Sequence, residues 1–143
     1  MKDTRKSRLK DIIDWVVNKS EDTYWIYGLP GIGKTSLAHS ICASLHNQNK
    51  LAGAFFCQRD DPKLSEPRNI LPALIYKLAE IFPPFRKIVA NRLRKDANLT
   101  PKSMKNSFFL DLLDNLPKHP NDFLVFVIDA FDECGDDRSR LRL

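Results

Sequence analysis

The stretch "GLPGIGKTS", Gly28 to Ser36, constrains the fold more than any other part of the chain. The spacing of Gly28, Gly33, Lys34 and Thr35 fits the pattern Gly-x-x-x-x-Gly-Lys-Ser/Thr. In that pattern the glycines leave backbone N–H groups free to converge on phosphate oxygens, while the lysine adds a mobile cation and the threonine offers a hydroxyl to Mg2+. A glycine and proline turn without a ligand needs neither the lysine nor the threonine. The candidate phosphate-binding residues are therefore Gly28, Leu29, Pro30, Gly31, Ile32, Gly33, Lys34, Thr35 and Ser36, with Thr35 also a candidate Mg2+ ligand.

Such a loop works only between a strand and a helix. Tyr24-Trp25-Ile26-Tyr27 is short, aromatic and aliphatic, and predicts a buried strand immediately before it. After it, Leu37, Ala38, Ile41, Cys42 and Leu45 recur at helical spacing, with His39, Ser40, Ser44 and His46 on the other side. A helix starting at Lys34 turns its unpaired N–H groups and the positive end of its dipole toward the loop, which favours an anion there.

A second nucleotide motif is expected where another strand ends. "FLVFVIDAFDEC", residues 123–134, opens with an unbroken apolar run from Phe123 to Ile128, read as a parallel strand buried on both faces. Asp129 falls at its C-terminal end, the edge at which open α/β sheets bind ligands. "FFLDLLD", Phe108 to Asp114, also places an aspartate after apolar residues, but its helical spacing puts Asp111 on a solvated helix face. "NKSE", Asn18 to Glu21, precedes the phosphate loop and ends in glutamate, so it gives no support for guanine specificity.

Between these motifs the pattern is α/β. Leu9, Ile12, Ile13, Val16 and Val17 mark a leading helix over about 7–18, and "AGAFFC", Ala52 to Cys57, reads as a strand. Arg59 to Pro67 is a polar loop carrying prolines. Apolar periodicity then predicts a helix from Ile70 to Ile81 that Pro83 and Pro84 stop, a second from Phe85 to Leu93, and a third from Met104 to Leu116 flanked by Pro101 and Pro117. The strands Tyr24–Tyr27, Ala54–Cys57 and Phe123–Ile128 are expected to run parallel, with their C-terminal ends at one edge.

With 143 residues, 43% hydrophobic and 29% charged, the chain reads as a single globular domain. The net charge of +5 is spread out apart from Lys2, Arg5, Lys6, Arg8 and Lys10, which read as a solvated helix face and not a nucleic-acid patch. No apolar run is long enough for a bilayer and the charged start is no signal peptide, so neither a membrane nor a nucleic acid is an expected partner and the expected location is cytoplasmic. Cys42, Cys57 and Cys134 lack metal-site spacing and read as reduced, buried thiols. The triplets at Asn18 and Asn98 that fit glycosylation carry no weight without a secretory signal.

Several stretches together resemble the NACHT domain of the STAND class of P-loop NTPases, as found in large fungal proteins: "YWIYGLPGIGKTSLA", "GAFFC", "ILPALIYKLAEIFPPF" and "VIDAFDEC". In the last, the small Ala130 directly after Asp129 and the acidic Asp132 and Glu133 distinguish the pattern from a plain Walker B motif. The similarity runs from about Arg5 to Cys134. It implies a P-loop NTPase-like three-layer sandwich around a parallel sheet, truncated after the Walker B strand, so that 1–143 forms a partial NACHT domain. By the same resemblance Lys34 contacts the β and γ phosphates, Thr35 and Asp129 hold Mg2+, and Glu133, with Asp132 next, activates the attacking water.

The implied function is an ATP- or GTP-binding module of a signalling switch, with protein partners or downstream repeat domains in the full-length protein. NACHT-like domains continue past Walker B with a sensor strand, lying between the Walker A and Walker B strands, and with closing helical subdomains. The chain ending at Leu143 is therefore expected to be a fragment or an incomplete gene product, an NTP hydrolase only when complete, and slow or inactive alone. Two alternatives stand beside it: a hydrolysis-deficient interaction module, and a small nucleotide kinase. The kinase needs an acceptor site with a basic lid, for which Arg86, Arg92 and Arg94 are the available residues, though they more simply form the wet face of a helix.

Overall fold

Two parallel strands carry helices on both faces in the computed structural model, which describes residues 2–18, 23–100, 103–116 and 124–135. Helix α1 spans Lys2–Asn18 and α2 spans Lys34–Asn47. Strand β1, Leu51–Phe56, follows, then helices α3 (Ile70–Ile81), α4 (Pro83–Lys95) and α5 (Asn106–Asp114), and strand β2, Val125–Asp129. Short 3-10 turns cover Pro67–Asn69 and Phe131–Glu133. No helix among the described residues is long and apolar enough to cross a membrane.

β1 and β2 pair in parallel, with Phe55 opposite Ile128 and Phe56 opposite Asp129. On one face Ile12 and Val16 of α1 and Leu37, Ile41 and Leu45 of α2 are buried against Leu51, Val125 and Val127. On the other, α3, α4 and α5 bury Ile75, Leu78, Phe85, Phe109 and Leu112 around Ala52 and Phe126. Each such side chain removed from water contributes about 1.5–3 kcal/mol, which offsets the cost of ordering the helices. At Gly53 the helix sits directly on the strand: a Cβ there would lie 3.1 Å from Lys77 Cβ and 3.5 Å from Leu74 Cδ2. A third cluster, Phe55, Cys57, Ile70, Leu74 and Cys134, closes the C-terminal end of the strands.

The helix boundaries follow from local chemistry. α1 begins at Lys2, earlier than the expected Ser7, because lysine and arginine are good helix formers that extend a helix without adding to its apolar stripe. α3 stops as predicted before the proline pair. Phe82 is extended (φ −125°, ψ 91°), as the residue before a proline must be, and Pro83 opens α4, where no N–H is needed. α5 is shorter than expected, and Pro101, Pro117 and Phe123 lie outside the described residues.

The expected strand at Tyr24–Tyr27 is not formed. The segment pairs with neither strand, and Trp25 and Tyr27 are 69% and 88% exposed. Aromatic and β-branched residues favour a strand only where a neighbour accepts their backbone hydrogen bonds. Among the described residues no strand pairs with this segment, nor with the free side of β2. The Tyr24 ring instead packs on Trp15 of α1, centroids 5.3 Å apart. For the same reason β2 is not buried on both faces as expected: its residues are half-buried and Ile128 is 43% exposed. The remaining two strands are parallel, as the sequence predicts.

Candidate functional site

The direction of α2 brings the glycine-rich loop and Asp129 to the same end of the sheet. At the far end of α2, Lys50 N–H donates to Leu45 O (2.9 Å) and Lys50 O accepts from Val125 N–H (2.8 Å), so this end adjoins the start of both strands. Near the start of α2, His39 stacks on Phe56 with ring centroids 4.3 Å apart, at the last residue of β1 and opposite Asp129. α2 therefore runs against the strands, and Gly33 and Asp129 share their C-terminal edge. The Asp129 charge is felt on α2 itself: Cys42, half-buried, is pushed above its ordinary pKa first by burial and then by that carboxylate.

Glycine is required at two points of the loop. Gly31 (φ 81°) and Gly33 (φ 87°, ψ 26°) are left-handed, which costs any residue with a Cβ roughly 1–2 kcal/mol. Gly33 occupies the cap position of α2 without any side-chain cap, so the first-turn N–H groups open outward. Lys34 folds back over the loop, its ammonium donating to Gly28 O (2.5 Å) and Leu29 O (3.1 Å). Leu29, Pro30, Ile32, Thr35 and Ser36 are exposed.

Asp129 is half-buried, and its carbonyl accepts from Cys57 N–H at 3.0 Å. Ala130 then turns left-handed (φ 55°, ψ 38°), a conformation sparsely populated by residues with a Cβ. This reverses the chain into the Phe131–Glu133 turn, closed by Glu133 N–H to Ala130 O (2.8 Å), and presents Asp132 and Glu133 at the surface. Behind the turn Cys134 is fully buried, and Gly135 N–H donates to Ser65 O (2.7 Å).

The donor set fits a phosphate-bearing ligand with a hard cation. Backbone N–H groups and Lys34 suit phosphate oxygens, while the Thr35 hydroxyl and the Asp129 carboxylate suit Mg2+. Asp111, excluded from the site on its helical spacing, is ion-paired with Arg92 across α4 and α5. That pairing engages one of the arginines a kinase lid would require.

A residue outside the motif also reaches the loop. Arg5 Nη2 lies 3.1 Å from the position a Cβ on Gly33 would take. Sequence spacing placed Arg5 only within a solvated basic cluster. The available signal was its alignment with Leu9, Ile12 and Val16, which puts it on the stripe of α1 that packs inward.

The Cys57 thiol, hydrogen-bonded to Cys134, is pushed up to about 12, by burial first, then by that bond and by the nearby charges of Asp129 and Glu133. In the unfolded chain it loses its proton near 9.0. Between these values the folded state binds more protons than the unfolded one, so stability falls as pH rises from about 9 toward 12, by at most roughly 1.4 kcal/mol per pH unit. Urea unfolding at pH 8 and 10.5 is expected to show this loss, and Cys57→Ala to show a smaller one. An equal loss in both proteins would mean that Cys57 is not held neutral.

The family model described as nephrocystin 3, N-terminal, matches residues 6–143. No curated protein and no solved structure gives a match.

Proposed function

This chain belongs to the nephrocystin 3 N-terminal family, and from the site it carries we propose that it is an ATP- or GTP-binding module of a signalling NTPase switch. The observation that carries the reading is the placement of the uncapped start of α2, with Lys34 and the left-handed glycines, at the sheet edge that also bears Asp129. In this reading the loop Gly28–Ser36 holds the phosphates, and Thr35 and Asp129 hold Mg2+, which when bound neutralises phosphate charge. Glu133, with Asp132 beside it, is the group that accepts a proton from water.

The Walker B-like sequence around Asp129 supports the more specific reading of a NACHT-type switch. Helices on both faces of a parallel sheet support a P-loop NTPase-like sandwich, of which β1 and β2 form part. Protein partners or repeat domains of a longer protein would read the nucleotide state. Turnover by the 143-residue chain should be slow, because both acidic residues and much of the loop are open to water, where charges are screened and the attacking water is unplaced.

The test is calorimetric titration of the purified chain with ATP and GTP, with and without Mg2+, alongside phosphate release. Binding of at least one triphosphate that strengthens with Mg2+, with slow release that Glu133→Gln lowers further, is the expected result. Absence of binding overturns the proposal. Binding with no release that Glu133→Gln can lower leaves a hydrolysis-deficient interaction module.

A further inference from the structure

We propose that Arg5 is a phosphate-binding residue that completes the Gly28–Ser36 cradle from α1, linking the docking of that helix to occupancy of the loop. The inference rests on the nucleotide-binding reading above.

Three observations carry it. The first is position: the guanidinium lies beside Gly33, at the spot that a side chain on any other residue would approach, with Nη2 3.1 Å from the Cβ position. The second is that packing delivers it there. Arg5 lies seven residues, close to two helical turns, before Ile12, and so on nearly the same face. Ile12 and Val16 are buried with Leu37, Ile41 and Leu45, which fixes α1 to the helix that the loop begins. The approach of Arg5 is thus set by the core, and Arg5 itself stays exposed.

The third is charge. The guanidinium sits at the positive end of the α2 dipole, beside a loop that already carries Lys34, and no side chain caps that end. Among the described residues no salt bridge joins Arg5 to a carboxylate. Positive groups gathered without an acidic partner repel one another, and an anion between them reverses the sign of that interaction. A phosphate suits the place because a guanidinium meets two of its oxygens at once. The ligand recognised is therefore the polyphosphate of the nucleotide.

Binding of the Mg2+ complexes of ATP and GTP is measured by calorimetry for the wild type, Arg5→Ala, Arg5→Lys, Lys34→Ala and Lys10→Ala. Lys10 is exposed on another face of α1 and reports the effect of net charge alone. Arg5→Ala should weaken binding by about tenfold or more, Arg5→Lys should recover part of it, and Lys10→Ala should stay within about twofold. In a second measurement, phenylglyoxal labelling of Arg5 in the wild type, followed by mass spectrometry, should slow when Mg2+ and the triphosphate are added. Wild-type affinity in Arg5→Ala, with binding lost in Lys34→Ala, overturns this proposal and leaves the phosphate loop standing. Labelling of Arg5 that a bound triphosphate does not slow also overturns it. No binding by the wild type overturns both.

Discussion

Replacing Lys34 with alanine is expected to weaken Mg2+-dependent triphosphate binding by about a hundredfold or more, since hydrogen bonds to charged groups contribute about 1.5–3 kcal/mol each. The same change should leave the fold intact. Among the described residues Lys34 hydrogen-bonds through its ammonium to the carbonyls of Gly28 and Leu29, both in the exposed loop itself. On the proposed function, its ammonium would leave those carbonyls to meet a phosphate, exchanging an internal partner for an external one. Titration calorimetry measures the loss, and thermal unfolding should show a midpoint within a few degrees of the wild type. Undiminished binding in a folded Lys34→Ala protein would mean that the glycine-rich loop is not the phosphate site.

The second large effect is structural. Phe85 has no exposed surface and sits among Ile75, Leu78, Phe82, Val89, Phe109 and Leu112, where α3, α4 and α5 converge. Phe85→Ala should lower stability by about 3–5 kcal/mol through lost burial and the cavity left behind. Against a total stability of about 5–15 kcal/mol, that shifts the urea midpoint far toward water with the denaturant slope unchanged. Ile81→Ala, at a site 53% exposed on the adjoining helix, should cost far less. A loss below about 1 kcal/mol for Phe85→Ala would show that α4 does not pack as described.

Much of this architecture is legible in the sequence where the signal is local. The apolar spacing of α2 and α3 reports their buried faces directly: Leu37, Ala38, Ile41 and Leu45 on one, Ile70, Leu74, Ile75 and Leu78 on the other. The left-handed turn of the glycine-rich loop is legible because it depends on contiguous residues, and its shared edge with Asp129 follows from alternating helices and parallel strands. The Tyr24–Tyr27 segment has the composition of a strand without being one, because a strand is defined by its partner, which a run of aromatic residues does not specify. The N-terminal turns of α1 leave no apolar period, because they are built of charged helix formers. Arg5 was hidden for a different reason. Its neighbour Gly33 is distant in sequence, and only the packing of α1 on α2 brings them together.

The polar stretch after β1 has the composition of a replaceable surface loop, yet it is tied to the acidic turn. Its Leu64 carbonyl accepts from Gln58 N–H (3.0 Å) and lies 3.9 Å from the Cys134 thiol, while its Ser65 carbonyl holds Gly135 N–H at 2.7 Å. Asp61 fixes the shape of the stretch, accepting through its backbone from Ser65 N–H (2.8 Å) and through its carboxylate from Lys63 N–H (2.8 Å). The stretch thus acts as an outrigger that sets the pitch of Asp132 and Glu133 from a segment bearing neither. For anyone engineering this protein, 61–66 is accordingly a poor place to splice a tag or a fluorophore. Added residues there are expected to tilt the carboxylates while Gly28–Ser36 and Asp129–Glu133 keep their sequence.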